Sequence, residues 1–119
     1  MKTMQAPKKN TVTSKTKIAD KNLQEKSCGI SQTKDGVIFT AFYPEASSVQ
    51  LAGDFNDWQP EKTPMKKISK EGVWNTKLRL TSGTHSYRFV VDGHWQQDPC
   101  NDAVEPNSYG EYNSVVNVI

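Results

Sequence analysis

The chain has 119 residues, enough for one domain, and only 34% of them are apolar, a low share that predicts a segment outside the packed core. Its formal net charge of +2 points to no class of partner. No apolar run approaches the ~20 residues of a membrane span, and the N-terminal residues lack the apolar centre of a secretory signal, so we expect a cytoplasmic protein with no membrane contact.

The N-terminal residues 1–27 differ from the rest of the chain in charge and in apolar content. Seven Lys against Asp20 and Glu25 give them a net charge of +5, and because the whole chain carries +2, the remainder carries −3. Their few large apolar side chains bury too little surface to offset the entropy of ordering. We therefore predict a disordered, flexible basic tail over residues 1–27 and a folded domain over residues 28–119. The tail contains no aromatic residue for stacking on bases, so we expect a solvated linker and no nucleic-acid contact.

From residue 30 onward, apolar residues recur with period two, which is typical of short strands. Residues 37–43 are β-branched and aromatic and predict a strand buried largely on both faces. Residues 49–53 predict a second short strand. The polar stretch 54–70, which contains two Pro, predicts a loop with at most a short strand near residues 65–68.

The second half of the domain shows the same alternation. Asp92-Gly93 is a strong signal for a tight hairpin turn. The segment 98–110 is polar, contains two Pro and predicts a loop. The further predicted strands are residues 72–80, 85–91 and 113–119, and Trp95 opens a short return strand after the turn. Because no stretch of ten or more residues has helical periodicity, six to eight short strands predict an all-β fold, an antiparallel β-sandwich.

Two cysteines, Cys28 and Cys100, lie far apart in the chain and form no metal-binding cluster such as C-x-x-C. The pair could form a disulfide. A reducing cytosol favours two free thiols instead, and free thiols are what we expect.

No residue pattern in the chain predicts catalysis. Glycoside hydrolysis needs two carboxylates in a cleft, and a small sandwich lacks a deep one. The acidic residues nearest the aromatic ones fall at turns or in loops, where Asp commonly accepts hydrogen bonds from its own backbone; they are Asp54, Asp57, Asp92 and Asp98. His85 and His94 have no nucleophile pattern beside them and are expected to be polar surface residues. We therefore predict that the protein is not an enzyme and has no catalytic residue, metal ion or cofactor.

Three aromatic residues lie in hydrophilic loops, where a core position is not expected. These are Trp58, Trp95 and Tyr109, whereas Trp74 continues an inward alternation and is predicted to lie in the core. A flat aromatic ring can cover the apolar C–H face of glucose while the equatorial hydroxyls stay hydrated, and two rings at an angle suit the curved α-1,4 chain. On pattern alone, a sugar-binding face and a satellite cluster that closes one end of the sandwich both stay open.

A family resemblance favours the sugar-binding interpretation. Residues 49–58, VQLAGDFNDW, resemble the signature V-x-L-x-G-x-F-N-x-W of family-48 carbohydrate-binding modules. These modules include the glycogen-binding domain of AMP-activated protein kinase β subunits and the N-terminal domains of isoamylases and branching enzymes. The resemblance continues through residues 83–95, GTHSYRFVVDGHW, then Asp98-Pro99 and the strand that begins at Asn113. It covers about residues 36–119 and implies an immunoglobulin-like antiparallel β-sandwich.

The resemblance also implies a set of carbohydrate-binding residues. Two Trp correspond to the glucan platform of the kinase-type members, and one Asn matches a family Asn. Arg88 replaces a Lys that contacts sugar hydroxyls, Tyr109 replaces a Leu that packs on the sugar, and Glu111 replaces a Thr. The predicted carbohydrate-binding residues are Trp58, Arg88, Trp95, Tyr109, Glu111 and Asn113.

Four further residues in these motifs are expected to support loops rather than to contact sugar. Gly53 and Gly93 permit turn geometry that a side chain would hinder. Asn56 is predicted to brace its loop by hydrogen bonds, and Asp92 to brace its turn.

The sequence therefore predicts non-catalytic binding of α-1,4-glucan (glycogen, starch or maltodextrin) by aromatic stacking on one face of the sandwich. The alternative is a regulatory or structural module that acts in trans on a glucan-metabolising enzyme or kinase complex without binding sugar. A third, weaker alternative is a fragment of a branching-type enzyme. The expected partners are an α-glucan polysaccharide or oligosaccharide and, in second place, a glucan-metabolising enzyme or kinase subunit.

Overall fold

The structure, a computed structural model, describes residues 28–119, so the tail predicted over residues 1–27 lies outside the described part of the chain. Two short 3-10 helices, Asp54–Asn56 and Pro60–Lys62, are the helical segments of this part. No helix within it is long and apolar enough to cross a membrane. Its nine strands are β1 (Gly29–Thr33), β2 (Gly36–Phe42), β3 (Val49–Gly53), β4 (Lys66–Lys67), β5 (Val73–Leu78), β6 (Gly83–Val91), β7 (His94–Gln96), β8 (Val104–Pro106) and β9 (Tyr112–Val118).

The strands form two antiparallel sheets. The four-stranded sheet has the order β1-β2-β5-β4, and the five-stranded sheet has the order β3-β6-β9-β8. Strand β7 pairs with the second half of β6, while β9 pairs with its first half. This arrangement confirms the predicted all-β antiparallel sandwich.

The core lies between the two sheets and is built from alternate strand residues. Phe39, Leu51, Tyr87 and Phe89 are fully buried there, and Trp74 is buried as predicted. Phe39 and Tyr87 meet edge to face across the two sheets, with ring centroids 5.0 Å apart. The alternation of buried and partly exposed residues follows from the period of two, because each sheet presents its second face to solvent.

Strand β2 differs from its prediction for the same reason. Val37, Phe39 and Ala41 are buried, but Ile38 and Phe42 are partly exposed on the other face. The prediction that both faces are buried is therefore wrong. An antiparallel sheet of a two-layer sandwich packs on one side only, and an Ile or Phe on the solvent side is tolerated there.

Strand β8 was not predicted, because it lies inside the segment expected to be a polar loop. It has three residues and ends in Pro106 at the edge of the five-stranded sheet. Edge strands are commonly short and often contain Pro, which cannot donate a hydrogen bond to a further strand. Strand β8 matters for the site because it supports the loop that leads into β9.

The two cysteines are bonded to each other, so the prediction of free thiols is wrong. The disulfide joins Cys28, just before β1, to Cys100 in the loop between β7 and β8, with Cα atoms 6.1 Å apart. The free-thiol prediction rested on residue spacing and on an expected reducing compartment, and spacing does not show that the fold brings the two ends together. The cytoplasmic location stays a prediction.

A buried polar cluster fixes the loop that follows β7. Asp98 is only 2% exposed, and its Oδ2 accepts a hydrogen bond from the Tyr87 hydroxyl at 2.6 Å. Its backbone N–H donates to Ser114 Oγ, and its Oδ1 accepts from the backbone N–H of Cys100. Burial raises the pKa of the Asp98 carboxyl. The predicted bond of this Asp to its own backbone is present, but its main partner is a core tyrosine.

Candidate functional site

The loop after β3 holds Trp58 on the outside of the sandwich. A side chain at Gly53 would meet the Phe55 ring at 2.5 Å and the Ser86 carbonyl at 2.7 Å, so the chain passes here only because position 53 has no Cβ. Asn56 accepts from the backbone N–H of Gly53 and donates to the Leu51 carbonyl, which confirms its predicted bracing role. Both Asp57 and Trp58 have positive φ, 58° and 59°, which is uncommon for such residues and is often found at functional sites.

A second set of hydrogen bonds connects the start of this loop to β6. Asp54 Oδ1 lies 2.8 Å from His85 Nδ1, and Asp54 Oδ2 accepts the Ser86 N–H at 2.9 Å. His85 Nε2 lies 2.8 Å from the carbonyl oxygen of Thr81. Both ring nitrogens therefore face acceptors, which favours the imidazolium, and the hydrogen bond to Asp54 raises the pKa of His85. The prediction of a simple polar surface residue at position 85 is wrong.

The β6–β7 hairpin places Trp95. Asp92 and Gly93 both have positive φ, as the predicted tight turn requires. Asp92 Oδ1 accepts the backbone N–H groups of Ser47 and Ser48, so it braces the neighbouring loop rather than only its own turn. Trp95 lies opposite Val90 in the register and is 44% exposed, a high value for so large an apolar side chain.

The loop between β8 and β9 carries Tyr109 and Glu111. The Asn107 carbonyl Oδ1 accepts the backbone N–H groups of Tyr109 and Glu111 at 2.9 and 3.1 Å, and its amide donates to Asn113 Oδ1 at 3.0 Å. Tyr109 is 87% exposed at the tip of this loop, and Asn113 is buried at the start of β9. An ordered loop thus presents a large aromatic ring to solvent.

Arg88 lies on the outer face of β6, between Tyr87 and Phe89, whose side chains fill the core. Its Nη1 donates to Glu111 Oε1 at 2.5 Å, and its Nη2 lies 3.4 Å from the Trp95 carbonyl oxygen. The Arg88 side chain is 13% exposed against 59% for Glu111. Within residues 28–119, the buried Nε of Arg88 has no hydrogen-bond partner. The guanidinium is thus held in place but keeps unused hydrogen-bonding capacity.

All six predicted residues line one cavity of about 740 Å³ on the outer side of the five-stranded sheet. Trp74 lies elsewhere, in the core, where its Nε1 donates to the Tyr43 carbonyl oxygen at 3.1 Å. Asn107 and Ser108 also line the cavity and were not predicted. The sequence could have indicated Asn107, because Asn followed three residues later by Gly is typical of a β-turn in which the Asn side chain accepts backbone N–H groups. The cavity is lined by Trp58, Arg88, Trp95, Asn107, Ser108, Tyr109, Glu111 and Asn113.

The chemistry of this cavity suits a neutral, hydroxyl-rich ligand with an apolar face. Two aromatic side chains come from loops and one from the short strand β7, and the polar groups between them are amides, a serine hydroxyl and one ion pair. Glu111 is the only carboxylate among the residues that line it, and Arg88 pairs with that carboxylate. The cavity lining therefore lacks the pair of carboxylates on which glycoside hydrolysis depends.

Comparison with known sequences identifies the family. A family described as the glycogen recognition site of AMP-activated protein kinase matches residues 38–119. The chain belongs to this family. Membership of this glycogen-recognition family confirms the predicted resemblance and the predicted glucan-binding function, and the match begins within two residues of the expected start at about residue 36.

Relatives of this glycogen-recognition domain include enzymes and proteins of other kinds. A 1,4-alpha-glucan branching enzyme of Fusobacterium nucleatum is 31% identical over 68 residues, which is 56% of the chain and 11% of the enzyme. Protein PTST homolog 2, chloroplastic, of Arabidopsis thaliana is 38% identical over 64 residues, 54% of the chain and 12% of that protein. Protein FLOURY ENDOSPERM 6, chloroplastic, of Oryza sativa subsp. japonica is 28% identical over 89 residues, 75% of the chain and 16% of that protein. The chain thus spans less than a fifth of each of these relatives.

Proposed function

We propose that this domain binds an α-1,4-glucan in the cavity lined by Trp58, Trp95 and Tyr109, and that it does so without catalysis. The observation that carries the proposal is the convergence of these three rings, from two loops and the short strand β7, on one open cavity. Exposed aromatic side chains that a fold holds together are typical of a binding surface.

The aromatic rings supply most of the expected affinity, and the polar groups supply orientation. Sugar C–H faces would stack on the indoles, while sugar hydroxyls would reach the Arg88–Glu111 pair and the Asn113 amide at the base of the cavity. Because Arg88 is already held by Glu111, little side-chain entropy is lost when it donates to a sugar hydroxyl. The surface is shallow, so we expect a dissociation constant on the order of micromolar to millimolar.

The absence of catalysis is part of the proposal, and the composition of the cavity supports it. The single carboxylate among the lining residues is neutralised by a guanidinium and does not sit in a hydrophobic environment that would make it a general acid. Branching enzymes are found among the relatives, but each of the three relatives described above is several times longer than the chain. We propose that the domain attaches a larger protein, or a partner enzyme acting on α-glucan, to the polymer.

Co-sedimentation with glycogen tests the proposal. The full chain should pellet with glycogen, and the Trp58→Ala/Trp95→Ala double variant should stay in the supernatant. Ile68→Ala is the matched control, because Ile68 is 52% exposed and lies outside the cavity lining. Retained sedimentation of the folded double variant would exclude this cavity as the binding site. Failure of the wild-type chain to sediment would favour a protein-contact role without sugar.

A further inference from the structure

Asn107 has an unusual position among the residues that line the cavity, because three of the four hydrogen bonds that its side chain can make are made inside the protein. Its Oδ1 accepts two backbone N–H groups, those of Tyr109 and Glu111, and its Nδ2 donates to Asn113 Oδ1. Its backbone N–H donates to the Glu111 carbonyl at 2.9 Å, which closes the loop between β8 and β9. One side chain therefore joins three of the six residues predicted to contact sugar.

These hydrogen bonds hold the backbone of Tyr109 in position. The residue is 87% exposed, so its ring has little protein packing to hold it, and the backbone beneath it must carry its position. The loop has five residues, Asn107 to Glu111, and Gly110 within it has a φ of +80°. Without the Asn107 acceptor, two backbone N–H groups lose their protein partner and the loop gains alternative conformations.

The same side chain sets the orientation of the Asn113 amide. Asn113 Oδ1 accepts from Asn107, which orients the amide so that its NH₂ group can donate to a ligand. That group can donate to a sugar hydroxyl oxygen but cannot accept from a hydroxyl. The orientation of the amide at the base of the cavity is therefore fixed by a neighbouring side chain that is itself bonded inside the protein.

We propose that Asn107 is a positioning residue of the glucan site: it holds the Tyr109 ring ready for stacking and orients the Asn113 amide as a donor. The inference rests on the proposed function. A ligand that binds the wild-type chain finds the loop already ordered, whereas a ligand that binds an Asn107→Ala variant must order it. Ordering one such side chain and its loop costs affinity by roughly twofold to tenfold.

A double-mutant cycle for maltoheptaose binding, measured by titration calorimetry, tests this assignment. The four proteins are wild type, Asn107→Ala, Tyr109→Ala and the double variant. We expect each single variant to bind more weakly and the losses to be less than additive in the double variant, because the part of the Asn107 effect that acts through the Tyr109 ring is already lost when the ring is absent. Fully additive losses, or an unchanged affinity of Asn107→Ala, would overturn the assignment.

Two further variants separate positioning from general damage to the fold. Asn107→Asp keeps an acceptor for both backbone N–H groups but places a carboxylate oxygen against Asn113 Oδ1 in place of the donor. The loop beneath Tyr109 stays bonded, so the effect of removing Tyr109 should be as large in its background as in wild type. Asn101→Ala is the matched control in the neighbouring loop, because the Asn101 side chain also makes three hydrogen bonds but lies outside the cavity lining. It accepts from the Ala103 N–H and donates to the Val115 carbonyl and the Tyr87 hydroxyl. We expect it to bind within about twofold of wild type. An equal loss in Asn101→Ala would overturn the positioning role.

Amide hydrogen exchange supplies a readout that needs no sugar. The N–H groups of Tyr109 and Glu111 should exchange faster in Asn107→Ala than in wild type or Asn107→Asp. Unchanged exchange would contradict the inference even if glucan binding is intact. Faster exchange together with a wild-type chain that binds no glucan would overturn the proposed function and, with it, the positioning role. Asn107 would then only stabilise the loop between β8 and β9.

Discussion

Removal of the Trp95 side chain gives a quantitative test of aromatic stacking. Trp95 is 44% exposed, and a Trp offers roughly 250 Å² of surface, so about 110 Å² of it is open to a ligand. At ~25 cal/mol per Å², complete coverage of that area would contribute about 2.7 kcal/mol. A sugar ring covers one face of the indole and therefore about half of the area, which gives ~1.4 kcal/mol, or a tenfold change in the dissociation constant.

The assay is titration of Trp95→Ala with maltoheptaose in a calorimeter, beside wild type and a matched aromatic variant. Tyr112→Ala is suitable, because Tyr112 is 50% exposed on β9 but lies outside the cavity lining. We expect about tenfold weaker binding for Trp95→Ala and an unchanged affinity for Tyr112→Ala. Wild-type affinity in a folded Trp95→Ala protein, shown by an unchanged cooperative unfolding transition, would refute the stacking argument.

Three further results are expected. Arg88→Lys should weaken maltoheptaose binding by roughly threefold to tenfold in calorimetry, because Lys cannot reproduce the planar fork that pairs with Glu111; equal affinity would show that the guanidinium geometry is not needed. Reduction of the Cys28–Cys100 disulfide, which spans 72 residues, should lower the free energy of unfolding in urea by up to about 4 kcal/mol, and an unchanged urea midpoint would contradict this. The pKa of His85 is raised in the folded state, so the stability that protonated His85 contributes is complete below its ordinary pKa of 6.5 and is lost as the pH rises through the folded pKa. The urea midpoint of the wild type should fall over this pH range, and that of a His85→Gln variant should not.

The strand layout followed from the sequence wherever alternation and turn chemistry agreed. The Asp92-Gly93 turn and its positive φ values are one case, and the inward position of Trp74 is another. Strand β8 was missed because three residues that end in Pro106 carry too short a pattern to distinguish an edge strand from a loop. The outward face of β2 was misjudged because β-branched and aromatic residues report strand propensity, not which sheet face meets solvent.

The sequence predicted residues that line the site but not how their side chains pair. The family resemblance pointed to all six predicted residues of the cavity lining, whereas the aromatic pattern alone left a satellite cluster open. The partners of those residues depend on distances between segments far apart in the chain, such as the pairing of Arg88 with Glu111 or of His85 with Asp54. Sequence spacing does not contain these distances, and the bonded cysteines escaped prediction for the same reason.

Titration of the ¹⁵N-labelled chain with maltoheptaose, followed through the indole N–H resonances, tests the central claim most directly. The three Trp give three such signals, and Trp74 is an internal control because its indole N–H donates to the Tyr43 carbonyl in the core. We predict that the signals of Trp58 and Trp95 shift together in one saturable process while that of Trp74 stays in place. Equal shifts of all three signals, or no shift of Trp58 and Trp95 at saturating sugar, would contradict glucan binding in this cavity.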